Sequence, residues 1–141
     1  MIKAKKVEIE KKAWFEWDDE LSFEIRYLTK KDMSKIRKKA TTVTIKRIGQ
    51  KTEEINDDVF AREYLNKAIT GWKGMKYKHL IEICEPIEIE EAPEVEIKYD
   101  DESKAFIIEN HNLEFLNFVM QAVNTILKID LEQREVLEKN S

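Results

Sequence analysis

Only two prolines and three glycines occur in 141 residues, and cysteine occurs once, as Cys84. With so few chain breakers there is little room for linkers or low-complexity sequence. Residues 1–141 therefore read as one domain, with a charged, frayed tail from about residue 130. A lone cysteine excludes an internal disulfide and fits a reducing compartment. Long apolar runs are missing too, and none approaches the roughly 20 residues of a membrane-spanning helix. The start, "MIKAKKVEIEKKAWF", is basic but lacks the apolar region of a signal peptide. Cytosol is the expected location, with no membrane partner.

Charge is what the chain has in abundance. Charged residues make up 38% of it, against a usual quarter or so, while 42% is apolar. A chain of this length hides about two-thirds of its unfolded surface on folding, so a core needs no metal or disulfide. The net charge of −4 conceals segregation: "KKDMSKIRKK" (30–39) holds six basic residues against one acidic, and residues 81–102 hold ten acidic residues against one lysine. Such asymmetry favours oriented or self-complementary contacts, including a homo-oligomer, and argues against a continuous nucleic-acid surface.

Periodicity supplies the elements. "KVEIE" (6–10) and "LSFEIRYL" (21–28) alternate with the two-residue period of half-buried strands. "AWFEWDDE" between them reads as an aromatic-rich connection. Thr29, three residues before Asp32, opens a short basic helix with Met33, Ile36 and Ala40 on its apolar stripe. "TTVTIKRI" (41–48) is β-branched and reads as a strand ended by Gly49. Asn56 caps the next helix, whose face carries Phe60, Tyr64, Leu65, Ala68 and Ile69, and Gly71 is expected to end it in a left-handed conformation. "VEIKYDDESKAFII" (95–108) reads as a hairpin. Asn112 caps a helix whose polar residues Glu114, Asn117, Gln121, Asn124 and Lys128 form one narrow stripe, leaving it apolar over most of its circumference. Strands and helices without β-α-β regularity predict an α+β fold: a small antiparallel sheet or hairpins packed on two or three helices, with a long apolar C-terminal helix.

The chemistry-bearing residues form no recognisable site. The glycines around Trp72 follow a helix rather than precede one, so they present its negative end and make no phosphate cradle. The expectation is a C-cap glycine, an indole folded onto Tyr64, Leu65 or Ile69, and Gly74 reversing the chain. Trp14, Phe15 and Trp17 sit beside the acids of "WDDEL", which suits packing at a sheet edge better than stacking of single-stranded nucleic acid. The acidic triplets at 18–20 and 100–102 lack the spacing of a calcium loop. His79, His111 and Cys84 lack the paired spacing of structural zinc, and Cys84 reads as a small buried hydrophobe. No nucleophile signature is present. The expectation is a non-enzyme with no catalytic residues, no cofactor and no metal.

The order of four segments carries a resemblance. "EIRYLTKKDMSKIRKKATT", "KTEEINDDVFAREYLNKAITGWKGM", "IEICEPIEI" and "FIIENHNLEFLNFVMQAVNTI", closing in "LEKNS", together resemble small tail-assembly chaperones of tailed bacteriophages and prophages. The likeness runs over about residues 21–141, and its most specific parts are "DDVFAREYLNKAITGWKG" and "EKNS"; the first twenty residues depart from it. The resemblance implies a non-enzymatic helper in the host cytoplasm. It would coat the long, helical, apolar tape-measure protein until tail-tube subunits replace it. The family often carries a frameshifted longer form. A virion structural protein, such as a minor tail component or head–tail connector, is the alternative. The candidate partner-binding residues are Trp72, Leu113, Phe115, Phe118, Met120 and Ile129, with the tape-measure protein or other tail proteins as partners.

Overall fold

The computed structural model describes residues 1–5 and 11–139, with side chains beyond Ile129 described only at Glu132. The alternation expected at 6–10 lies outside the described residues. The described residues form an α+β fold with five strands and five helices.

Strand β2 (Ser22–Arg26) is the centre of a three-stranded antiparallel sheet, flanked by β1 (Lys12–Glu16) and β5 (Ile69–Lys73). Its alternation does what a period of two dictates: Leu21, Phe23 and Ile25 are fully buried, while Ser22, Glu24 and Arg26 face the other way. Residues 13–16, part of the expected connection, belong instead to the edge strand, paired from Lys12 opposite Arg26 to Glu16 opposite Ser22. The connection is shorter than expected. It closes at Asp18, whose carboxylate accepts the amides of Glu20 and Leu21, both at 2.8 Å.

Helix α1 (Lys30–Ala40) begins with a complete capping box. Thr29 accepts the Asp32 amide, and Asp32 accepts the Thr29 amide. Burial pushes the Asp32 carboxyl up, but the Thr29 hydrogen bonds and the Arg26 guanidinium at 3.1 Å outweigh that and hold it below its ordinary value. As expected, Ile36 and Ala40 are buried and the basic face is exposed. Next, β3 (Thr41–Ile45) and β4 (Lys51–Ile55) form a two-stranded hairpin. It turns at Gly49, whose φ of 80° only glycine adopts cheaply. Helix α2 (Asp57–Ala68) is capped by Asn56, which accepts the Val59 amide.

Downstream, a short apolar stretch with no assigned element proves helical and one expectation is corrected. "HLIEIC" lies largely in a helix, α3 (Tyr77–Ile83), which buries His79, Leu80 and Ile83. The hairpin expected over 95–108 is an extended segment followed by α4 (Asp101–Asn110). The Asp100 side chain accepts the Ser103 amide, and Asp101 and Glu102 complement the first turn of α4. That end-group chemistry overrides a short stretch of accidental alternation. Helix α5 (Leu113–Lys139) starts where Asn112 accepts the Phe115 amide, as expected. It lays Phe115, Val119, Ala122, Val123 and Ile126 against the sheet and α2. Phe115 and Phe118 meet Phe23 and Trp17 in ring contacts of 5.1–6.1 Å, which tie α5 to β2 and to the end of β1.

Candidate functional site

Gly71, Trp72 and Lys73 belong to a strand rather than a helix stop. α2 passes directly into β5, and Gly71 lies opposite Glu24 with its φ outside the left-handed region. A Cβ there would meet only ordinary contacts, at 3.7 Å from Glu24 and 3.8 Å from the Trp14 ring. The helix end is satisfied by distant cations instead. Lys104 donates to the carbonyls of Asn66 (2.9 Å) and Ile69 (2.7 Å), and Arg26 donates to that of Lys67 (2.7 Å). Positive charge at the negative end of a helix does the work expected of a glycine cap. Burial lowers the pKa of Lys104.

Trp72 does not fold onto α2. Its ring stands edge-on to Phe23 at 6.3 Å and to Tyr99 at 4.9 Å, and its indole N–H donates to the Ile97 carbonyl at 2.9 Å. It therefore clamps the extended segment before α4 onto the sheet. The reversing glycine is Gly74, as expected, with φ 77°. A Cβ there would fall 1.9 Å from the Glu20 carbonyl oxygen, so the chain can pass the Asp18 turn only without a side chain.

The six candidate contact residues divide. Phe115 is fully buried and Trp72 is 7% exposed, so both are core and offer no surface in this conformation. Phe118 and Met120 are partly buried against the core, at its margin. Leu113 (67%) and Ile129 (44%) are exposed. Leu127 is exposed as well. Both it and Ile129 lie just beyond Ile126, the last residue of α5 that is buried among those described, and the helix backbone runs on to Lys139, about 20 Å further. The apolar stripe thus reaches the surface at Leu127 and Ile129.

Two surfaces escaped the sequence reading. The first is the β3–β4 hairpin, which exposes Val43, Ile45 and Ile55 on one face and Ile48 at its turn. The β-branched run was visible, but not that its pairing partner would be the polar stretch "KTEEI", leaving both faces open. The second is a cleft of about 430 Å³ between α3, residues 87–91 and α4. Leu80, Ile87, Ile89 and Phe106 line it, Glu88, Glu90, Glu91 and Glu102 edge it, and no cation does. Its only signal in the sequence is the alternation in "PIEIEE". Every buried side-chain polar atom among the described residues has a partner, so no unpaired polar group points into this cleft.

Titratable residues around the Asp18 turn form a clamp. Asp18, His79 and Glu82 bring one ligand-type atom each to within 4.8 Å of the others, whereas the sequence had set His79 beside His111 and Cys84. The buried His79 ring accepts the Lys76 amide at Nδ1 (2.9 Å), so Nε2 carries the proton and donates to Asp18 (3.0 Å). A cation on Nε2 would require the proton to move to Nδ1, against the Lys76 amide that already donates there, so the ring as hydrogen-bonded presents no free lone pair to a metal. Burial raises the Asp18 pKa, but the amides of Leu21 and Glu20 and the His79 ring bring it below its ordinary value. Lys76 and Lys78 pair with Glu20 and Glu94 at 2.8–3.2 Å on the same side, joining three segments. Cys84 is buried, as expected, and burial pushes its thiol up to about 11. Among the described residues no helix is long and apolar enough to cross a membrane. Comparison with known proteins returns no matching family model, no matching curated protein and no matching solved structure.

Proposed function

We propose that this chain is a non-enzymatic tail-assembly chaperone of a tailed bacteriophage or prophage, working in the host cytoplasm and holding the tape-measure protein until tail-tube subunits replace it. The observation that carries the reading is the behaviour of α5. Its apolar face is seated in the core as far as Ile126 and then continues into solvent as Leu127 and Ile129 on a helix that runs to Lys139. The exposed Leu127 and Ile129 present an apolar edge on which another apolar helix can lie. The heavy surface charge keeps such a protein dispersed before it is loaded. The segment order from β2 to the C-terminus resembles that family, and the paired nitrogens of His79 and the buried thiol of Cys84 leave neither poised as a reactive group.

Affinity purification of the tagged chain, co-expressed with the tape-measure protein encoded beside it, should recover both. Recovery of the chain alone, from cells in which both are made, would reject the proposal. The segregated charge and the projecting hairpin also suit a ring-forming minor tail or connector protein. Mass spectrometry of purified particles separates the two: a chaperone is missing from the mature virion, and a connector is present in fixed copy number.

A further inference from the structure

We propose that the β3–β4 hairpin tip of one copy docks in the acidic cleft of the next, so that the chain self-associates head to tail. The two surfaces are complementary in both polarity and charge. The tip carries Ile45 and Ile48, 67% and 77% exposed, interleaved with Lys46, Arg47 and Lys51. The cleft's apolar lining includes Leu80, Ile87, Ile89 and Phe106, and every charged residue that lines it is a glutamate. Apolar residues flanked by cations meet apolar residues flanked by carboxylates, which gives burial at the centre and oriented attraction at the rim.

Other basic segments fit less well. Helix α1 has more cations, but its apolar residues Ile36 and Ala40 are already buried, so it brings charge without anything to fill the cleft. Residues 1–5 offer Met1 and Ile2 beside Lys3 and Lys5, yet they carry no regular structure and would have to be ordered on binding. The hairpin is already paired, which lowers the entropy cost of docking. A two-stranded hairpin with both faces open is also marginal in water, and seating its tip would stabilise it.

Topology favours a neighbour over self-docking. The hairpin springs from the N-terminal end of α2, while α4, one wall of the cleft, is fastened by Lys104 to the C-terminal end of α2, about 18 Å along the helix axis. The base of the hairpin and the α4 wall of the cleft therefore lie toward opposite ends of α2. The contact joins two different surfaces, and its repetition head to tail builds a ring or an open chain. This inference does not depend on the chaperone reading, and its test uses this chain alone.

The test is sedimentation velocity of the full chain from micromolar to near-millimolar concentration. The wild type should grow through a series of species and shrink again at high salt. A tip variant (Lys46→Glu with Arg47→Glu) and a cleft variant (Glu90→Lys with Glu91→Lys) should each weaken association about tenfold or more. Their melting midpoints should stay unchanged, because all four residues are exposed. Mixing the two variants in equal amounts should restore growth, since the reversed tip then faces a reversed cleft and the native tip a native one. Removal of residues 1–5 should change nothing. A wild type that stays monomeric throughout, variants that associate like the wild type, a mixture that fails to recover, or dependence on residues 1–5 would each overturn the proposal.

Discussion

The three glycines separate two costs that are usually confounded. Gly49 has φ 80° with nothing within 4 Å of a built Cβ; Gly71 has ordinary contacts and no left-handed backbone; Gly74 has φ 77° and a Cβ position 1.9 Å from the Glu20 carbonyl oxygen. Replacement of each by alanine then has a distinct outcome. Gly49→Ala carries only the left-handed backbone penalty, about 1–2 kcal/mol. Gly71→Ala gains about 0.4–1 kcal/mol from a restricted unfolded chain and loses little in contacts. Gly74→Ala carries the same backbone penalty plus an overlap with main chain that no rotamer relieves, about 1–3 kcal/mol more. Its total is then about 2–5 kcal/mol, a large share of the roughly 5–15 kcal/mol that holds a domain together. The Asp18 turn cannot easily yield, because His79 and the Lys76–Lys78–Glu20–Glu94 group hold it. Equilibrium urea denaturation of the three variants measures all of this, with the slope checked for constancy. If Gly71→Ala were the most damaging and Gly74→Ala harmless, the assignment of Gly71 to a strand and Gly74 to the close approach would both be refuted.

Trp72→Ala should cost about 3–5 kcal/mol by urea denaturation, and Trp72→Phe about 1–2 kcal/mol for the lost donor to Ile97; an unchanged midpoint in both would mean the ring is not core. Lys104→Met should lower stability by about 1–3 kcal/mol, because two carbonyls at the end of α2 lose their donor, and amide exchange should show that end opening first. The carboxyls of Asp18 and Asp32 titrate below their ordinary values when folded, so their contribution is complete above the unfolded pKa, near 4, and is lost as pH falls through the lower folded values. Acid titration of Asp18→Asn should therefore show a shallower loss of stability below about pH 4 than the wild type. Cys84, with its thiol pushed up to about 11 and buried, should react with a thiol reagent at mildly alkaline pH only as fast as the protein unfolds; immediate reaction in the native state would contradict its burial.

Local signals were readable wherever a side chain acts on its own backbone. Thr29 with Asp32, Asn56 and Asn112 begin helices where their capping chemistry places them, and the alternation through Leu21, Phe23 and Ile25 faces the core. Long-range satisfaction was not readable. The carbonyls at the end of α2 are met by Arg26 and Lys104, each more than thirty positions away, so Gly71 looked like a cap when none was needed. Short alternations misled in the same way: residues 95–108 alternate, but the Asp100–Ser103 cap turns their second half into α4. Of the candidate contact residues, Trp72 and Phe115 were drawn into the core by Phe23 and Tyr99, pairings that depend on which strands meet. The cleft and the hairpin tip depend on the absence of a neighbour, which only the assembled fold reveals.

The proposed action through Leu127 and Ile129 is measured most directly by the soluble yield of a tape-measure protein encoded beside this chain, expressed alone, with the wild-type chain, and with a Leu127→Glu, Ile129→Glu variant whose two sites are already exposed. The account predicts a yield raised severalfold by the wild type and returned to the unaided level by the variant, whose own fold is intact by its melting midpoint. A yield that is the same in all three conditions, or rescued equally by wild type and variant, would contradict it.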